Sequence, residues 1–186
     1  MNPLLLDIPR EISTERLLLR VPGAGDGAII FPTARDSLAE LKPWMPWATD
    51  DYSVEKGEEW CRRGAAQFLL RAELPFLMFL REGLHLGNMS VVKIDWELRK
   101  CEIGYWLCTS HTRRGYMTEA GRAVVELLFK LGFCRIEIRC DPQNQRSRAV
   151  AERLGFQLEG ILRSDALSPG GERRDTCVFG LIRAGT

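Results

Sequence analysis

The chain has little that points to a metal, a membrane or a disulfide scaffold. His85 and His111 are its only histidines, and Cys61, Cys101, Cys108, Cys134, Cys140 and Cys177 form no C-x-x-C pair, so the ligand spacing of a zinc site is missing. A chain of 186 residues does not need disulfides to fold, and four of the cysteines lie in strand-like apolar runs. They read as reduced core thiols of a cytoplasmic protein. Leu4-Leu5-Leu6 before Asp7 is too short for a signal-peptide core, and no apolar run approaches the ~20 residues of a membrane span. Neither G-x-x-x-x-G-K-[ST] nor G-x-G-x-x-G occurs, so a P-loop and a dinucleotide fingerprint are both unsupported. With 26 Lys and Arg against 25 Asp and Glu, the net charge of +1 gives no electrostatic drive toward nucleic acid or membrane.

What is present fits one α/β domain over residues 1–186, with no repeat or linker. Strands are expected over 14–21, 76–81, 86–95, 102–107, 136–140, 156–162 and 176–182. Helices are expected over 26–41 and 54–72, after Gly115 and from Asn144 to Leu154. Pro43 and Pro46 forbid a helix between the first two. Glu82-Gly83 suits a hairpin, and Ser168-Pro169-Gly170-Gly171 a turn. The strand–helix–strand in the middle makes a right-handed crossover between parallel strands, so two helices start at the carboxyl ends of those strands. Open α/β sheets bind ligands at that edge.

The most informative stretch runs from Cys101 through Glu102-Ile103-Gly104-Tyr105-Trp106-Leu107 to Thr112-Arg113-Arg114-Gly115-Tyr116-Met117-Thr118. A buried strand there feeds a basic turn that opens a helix, and free N–H groups at such a start attract an anion such as a phosphate. The turn alone is also what an ordinary helix start with two solvated arginines looks like. Glu102 shares a strand face with Gly104 and Trp106, and a half-buried carboxylate with room beside it can serve as a general base or simply pair with an arginine. Ser147 falls three residues past the cap Asn144, where capping is the usual role. Trp44 and Trp47 make either an aromatic wall over a pocket or a core plug.

Together these segments resemble the GNAT superfamily of acetyl-CoA-dependent N-acetyltransferases, in particular its RimJ/RimL-like branch. The likeness covers Thr14-Glu15-Arg16-Leu17, Pro43-Trp44-Met45-Pro46-Trp47, the stretch 102–120, the run 144–156 and Leu158-Glu159-Gly160. It implies a mixed, mostly antiparallel sheet of six to seven strands with the parallel unit at the acetyl-CoA site. It places the pantetheine arm along Tyr105-Trp106-Leu107 like an added strand and the pyrophosphate on Arg113, Arg114, Gly115, Tyr116, Met117 and Thr118, with Asn144 nearby. The family turn is Q/R-x-x-G-x-G/A; Thr112 and Met117 depart from it, and Met117 is expected to narrow the site. Many relatives carry a tyrosine acid where this chain has Ala151, while RimL-like enzymes are thought to use a serine at the position of Ser147.

The implied reaction is acetyl transfer to a primary amine without a metal, with Glu102 as base, Ser147 protonating or hydrogen-bonding the departing thiolate, and Trp44 and Trp47 at the acceptor. The acidic residues Asp50, Asp51, Glu55, Glu58 and Glu59 suit a cationic amine if they border the pocket. A protein N-terminal α-amine, as on a ribosomal protein, is the first expectation for the acceptor. A polyamine, aminoglycoside or amino-acid-like amine comes second, and a non-catalytic acyl-CoA sensor is the rival of another class. An exposed strand near the C-terminus is compatible with a homodimer.

Overall fold

The structure is a computed structural model and describes residues 2–183. Its framework is one eight-stranded sheet: β1 (Glu11–Ser13), β2 (Leu17–Arg20), β3 (Leu74–Leu80), β4 (His85–Asp95), β5 (Lys100–Leu107), β6 (Arg135–Cys140), β7 (Gln157–Leu167) and β8 (Arg173–Ile182). The order is β1-β2-β3-β4-β5-β6-β8-β7, with every neighbouring pair antiparallel except β5 and β6. Seven strands are legible in the sequence, and the eighth is β1, whose three residues hold a single apolar side chain and show no period.

Helices cover both faces. Helix α1 (Gly27–Arg35), the single turn α2 (Leu38–Leu41) and α3 (Val54–Leu69) cover one, with Ile30 and Cys61 packed on Leu77 and Phe79 of β3. Helices α4 (Tyr116–Lys130) and α5 (Gln145–Arg153) contribute Ala120, Val124, Leu128, Val150 and Ala151 to the larger core on the opposite face, against Leu17, Phe76, Met89, Ile103 and Ile136. Cover on both faces explains why β3 reads as an unbroken apolar run. The helix expected over 26–41 breaks at Asp36 and Ser37, where the buried Ser37 hydroxyl accepts the N–H of Thr109 at 3.0 Å.

The parallel ladder is short. β5 and β6 pair only at Lys100↔Arg135, Cys101↔Ile136 and Glu102↔Glu137. Beyond that point β5 stays bonded to β4 as far as Leu107, and β6 to β8 as far as Cys140. The sheet therefore opens between Ile103 and Ile138, at the carboxyl ends of both strands.

Candidate active site

The opening leads into a cavity of about 960 Å³ that crosses the sheet on the α1–α3 side. Ile103, Gly104, Tyr105 and Trp106 form its floor, Ile138, Arg139 and Cys140 continue it, and Asn144 and Ser147 stand at one end. A Cβ on Gly104 would meet no atom within 4 Å, so the missing side chain leaves the floor open. Trp44 and Trp47 line the opposite wall. Trp47 is also a plug: its ring lies 5.3 Å from Tyr52 and 5.4 Å from Trp106, and it packs on a small core with Ala34 and Leu41.

Asn144 caps α5 as expected, its Oδ1 accepting the backbone N–H of Ser147 at 3.1 Å. That bond leaves the Ser147 hydroxyl free for another task. Its Oγ lies 3.1 Å from the Tyr105 hydroxyl, which also donates to the Ser147 carbonyl at 3.1 Å. Burial pushes the Tyr105 phenol well above its ordinary range, against the pull of Ser147, so it stays protonated as a donor. Burial also raises the neighbouring Cys140 thiol to about 11, so this group is neither thiolate nor nucleophile at neutral pH.

The basic turn lies on the far side of β5. Arg113 has φ +64° and the helix N-cap Gly115 has φ +82°, the left-handed conformation that a glycine adopts without strain. The N–H groups of residues 113–118 donate to no other described residue. Such a run of free amides at a helix start is an anion nest. Met117 does not narrow it. Its side chain is buried in the core with Ala120 and Val124, because the second helical position of this turn points toward the sheet. Thr118 is likewise buried, Leu107 packs on the large core, and Tyr116 lies under the Arg16 guanidinium.

Glu102 is not brought into the large cavity. It faces a smaller one of about 270 Å³, and its carboxylate accepts Lys93 Nζ at 2.8 Å. The cause is a bulge in β4 between Val92 and Asp95, where Lys93 takes φ +48° and reaches the Glu102 face. Lys93 and Arg139 line both cavities and so stand between Glu102 and the larger one.

The acidic stretch is mostly structural. Gly25 N–H, Arg62 and Gly27 N–H hold Glu58 at about 2. Asp50 pairs with Lys42 and Glu59 with Arg63, while Asp51, which does border the cavity, pairs with Lys56.

Three cavity residues escaped sequence reasoning. Asp165 of β7 lines the cavity and has no partner among the described residues. Asn88 of β4 is buried with Oδ1 3.0 Å from His85 Nε2; a polar residue in an apolar strand was the available signal. Arg174 donates to the Pro43 carbonyl at 2.6 Å, pairs with Asp141 at 3.3 Å and lies over the Trp44 ring, tying the tryptophan wall to the turn before α5.

An opened parallel pair beside a run of free amides offers a strand edge to an extended ligand and a helix start to an anionic group, features that an enzyme binding a phosphorylated carrier could use. Residues 16–157 match the model of the acetyltransferase (GNAT) domain, and the chain belongs to that family of N-acetyltransferases. YdaF of Bacillus subtilis (strain 168), provisionally named a ribosomal N-acetyltransferase, is 32% identical over 175 residues, 91% of this chain and 92% of YdaF. The ribosomal-protein-serine acetyltransferase of Escherichia coli (strain K12) is 30% identical over 130 residues, 68% of this chain and 73% of that protein. RimL, a ribosomal α-N-protein acetyltransferase solved with coenzyme A, superposes with a TM-score of 0.86 at 23% identity, over 96% of this chain and 99% of RimL. The microcin C7 self-immunity acetyltransferase MccE, solved with acetyl-CoA and AMP, gives 0.89 at 20%, over 94% and 97%. The last two establish a shared fold. No group of metal-ligating side chains occurs among the described residues, and no described helix is long and apolar enough to cross a membrane.

Proposed function

We propose that the protein moves the acetyl group of acetyl-CoA to the N-terminal α-amine of a protein, with a ribosomal protein as the leading candidate. The observation that carries this reading is the ladder that stops at Glu102↔Glu137 and leaves an open floor beside Ser147. The pantetheine amides pair with the free edge of β5 along Tyr105-Trp106-Leu107, and the diphosphate sits on the amides of residues 113–118. Asn144 contributes by holding the first turn of α5 in place. The acceptor approaches from the other end, across Gly104 and between Trp44 and Trp47. A cavity of about 960 Å³ suits an extended peptide better than a single small amine.

An amine is mostly protonated near pH 7 and must lose a proton before attack. Two carboxylates are candidates: Glu102, acting by way of water past Lys93, and Asp165, which borders the cavity with no partner among the described residues. Attack on the thioester carbonyl forms the new C–N bond, and collapse breaks the C–S bond and expels the CoA thiolate. Main-chain N–H groups near Trp106 stabilise the oxyanion, and the Ser147 hydroxyl hydrogen-bonds or protonates the departing sulfur, with Tyr105 behind it. The six free cysteines suit a reducing, cytoplasmic compartment, and the exposed edge strand β7 offers a surface for a second copy.

The test is a thermal-shift series with acetyl-CoA, followed by mass spectrometry on ribosomal-protein N-terminal peptides and on a panel of free amines. Stabilisation by acetyl-CoA and acetylation of peptides alone are expected. Acetylation of free amines alone would refute the acceptor assignment. Glu102→Gln and Asp165→Asn then identify the base, whose loss lowers kcat by about 10²–10⁴-fold.

A further inference from the structure

Arg16 lies just before β2, yet its side chain ends at the basic turn. Nη1 donates to the Arg114 carbonyl at 3.0 Å, across 98 residues of sequence. Nε donates to Glu119 Oε2 at 2.6 Å, Nη2 lies within ion-pair distance of the same oxygen at 2.6 Å, and the guanidinium carbon sits 4.7 Å from the centre of the Tyr116 ring. Glu119 is locked in turn: its Oε1 accepts the Thr14 hydroxyl at 2.5 Å and the Arg16 N–H at 2.9 Å. Burial resists the charge on Glu119, but Thr14 and Arg16 outweigh it and hold the carboxyl below its ordinary value. The fork, carboxylate and ring form a clasp.

The clasp has a stereochemical effect. In a trans peptide the C=O and the following N–H point to opposite sides, and the described residues contain no cis bond. Drawing the Arg114 carbonyl toward Arg16 therefore turns the Gly115 N–H to the other side, into the nest. Gly115 permits the turn through its φ of +82°, while a Cβ there would meet Arg16 Nη2 only at an ordinary contact of 3.5 Å.

We propose that Arg16 is the positioning residue of the diphosphate site: it acts through the Arg114–Gly115 peptide, fixes the aim of the nest and thereby sets the affinity for the coenzyme. This rests on the reading that the turn holds the diphosphate of CoA. Arginine is required because the role needs a planar fork that meets a carbonyl and a carboxylate together; an ammonium supplies the charge without that geometry.

Dissociation constants of the full-length protein and its Arg16→Ala, Arg16→Lys and Glu119→Gln variants decide the matter. They are measured by calorimetry for CoA and dephospho-CoA and by ligand-observed NMR for pantetheine, which lacks both phosphate groups. Arg16→Ala is expected to weaken CoA and dephospho-CoA by the same factor, about tenfold or more, and to leave pantetheine within about twofold. Arg16→Lys should bind CoA nearly as weakly as Arg16→Ala. Glu119→Gln, which loosens the fork but keeps the Arg114 bond, should fall between, and it serves alone if Arg16→Ala does not fold. Full affinity in Arg16→Lys would overturn the proposal, because charge rather than aim would then be the cause. A loss confined to CoA would place Arg16 on the 3′-phosphate, and an equal loss for all three ligands would make it a general fold residue; either result also overturns it. Wild-type protein that binds neither CoA nor dephospho-CoA would instead remove the diphosphate reading beneath it.

Discussion

Replacing Ser147 by alanine separates chemistry from capping, because the two use different atoms. The cap bond runs from the Ser147 backbone N–H to Asn144 Oδ1, and alanine keeps it. What alanine removes is the hydroxyl and its 3.1 Å contact with the Tyr105 oxygen, while Tyr105 keeps the backbone carbonyl as acceptor. One such bond contributes about 0.5–1.5 kcal/mol, and the better helix propensity of alanine offsets up to about 0.5 kcal/mol of it. For a chain of this length, a net loss of about 0.5 kcal/mol lowers Tm by roughly 1–2 °C. The catalytic effect is of another size: losing the group that stabilises the departing thiolate lowers kcat by about 10²–10⁴-fold. Asn144→Ala gives the reverse pattern, costing about 1 kcal/mol of stability through the lost cap while kcat falls much less. Scanning fluorimetry with both variants, alongside thiol release on an acetylated peptide substrate, reads the two quantities. Unchanged kcat in Ser147→Ala, or a Tm loss as large as that of Asn144→Ala with a proportionate drop in rate, would refute the reasoning.

Two other perturbations follow from the same geometry. Gly104→Val fills a space in which a Cβ touches nothing, so Tm should hold within a degree or two while kcat/KM for the acceptor drops at least ~tenfold; retained kcat/KM would show that the acceptor does not cross this floor. His85 has its pKa lowered by burial, against the hydrogen bond to Asn88. The unfolded chain therefore binds the proton first as pH falls below 6.5, and stability decreases through that window down to the folded value. Urea unfolding at pH 7.5 and pH 5.5 should show a smaller stability difference for His85→Gln than for the wild type, and an equal difference would mean that His85 titrates normally.

Local features of this site were legible in the sequence because local chemistry determines them. Gly115 announces a left-handed residue at a helix start, Asn144 a cap, and the alternation in β5 the two faces that carry Tyr105 and Trp106. The features that set geometry at a distance were not. No periodicity states where a parallel ladder ends, so the opening after Glu102 could be inferred only from family likeness. Glu102 looked available because the bulge that swings Lys93 onto it leaves no mark in the pattern of β4. The Arg16 clasp joins residues 103 apart and the Arg174 bond to Pro43 joins residues 131 apart, and surface arginines carry no sign of their partners.

The gap between β5 and β6 also bears on how the protein avoids unwanted self-pairing. A bare strand rim on the outside of a sheet can accept any passing polypeptide, since nothing limits the width of what docks there. Here the unsatisfied main chain is enclosed between two ladders that are each already bonded on their other side, and they converge at Glu102 and Glu137. On the proposed reading, a wedge that narrows in this way suits a slender tether carrying amides of its own better than a full peptide strand with its side chains. Adhesive backbone is thus kept ready for one kind of visitor.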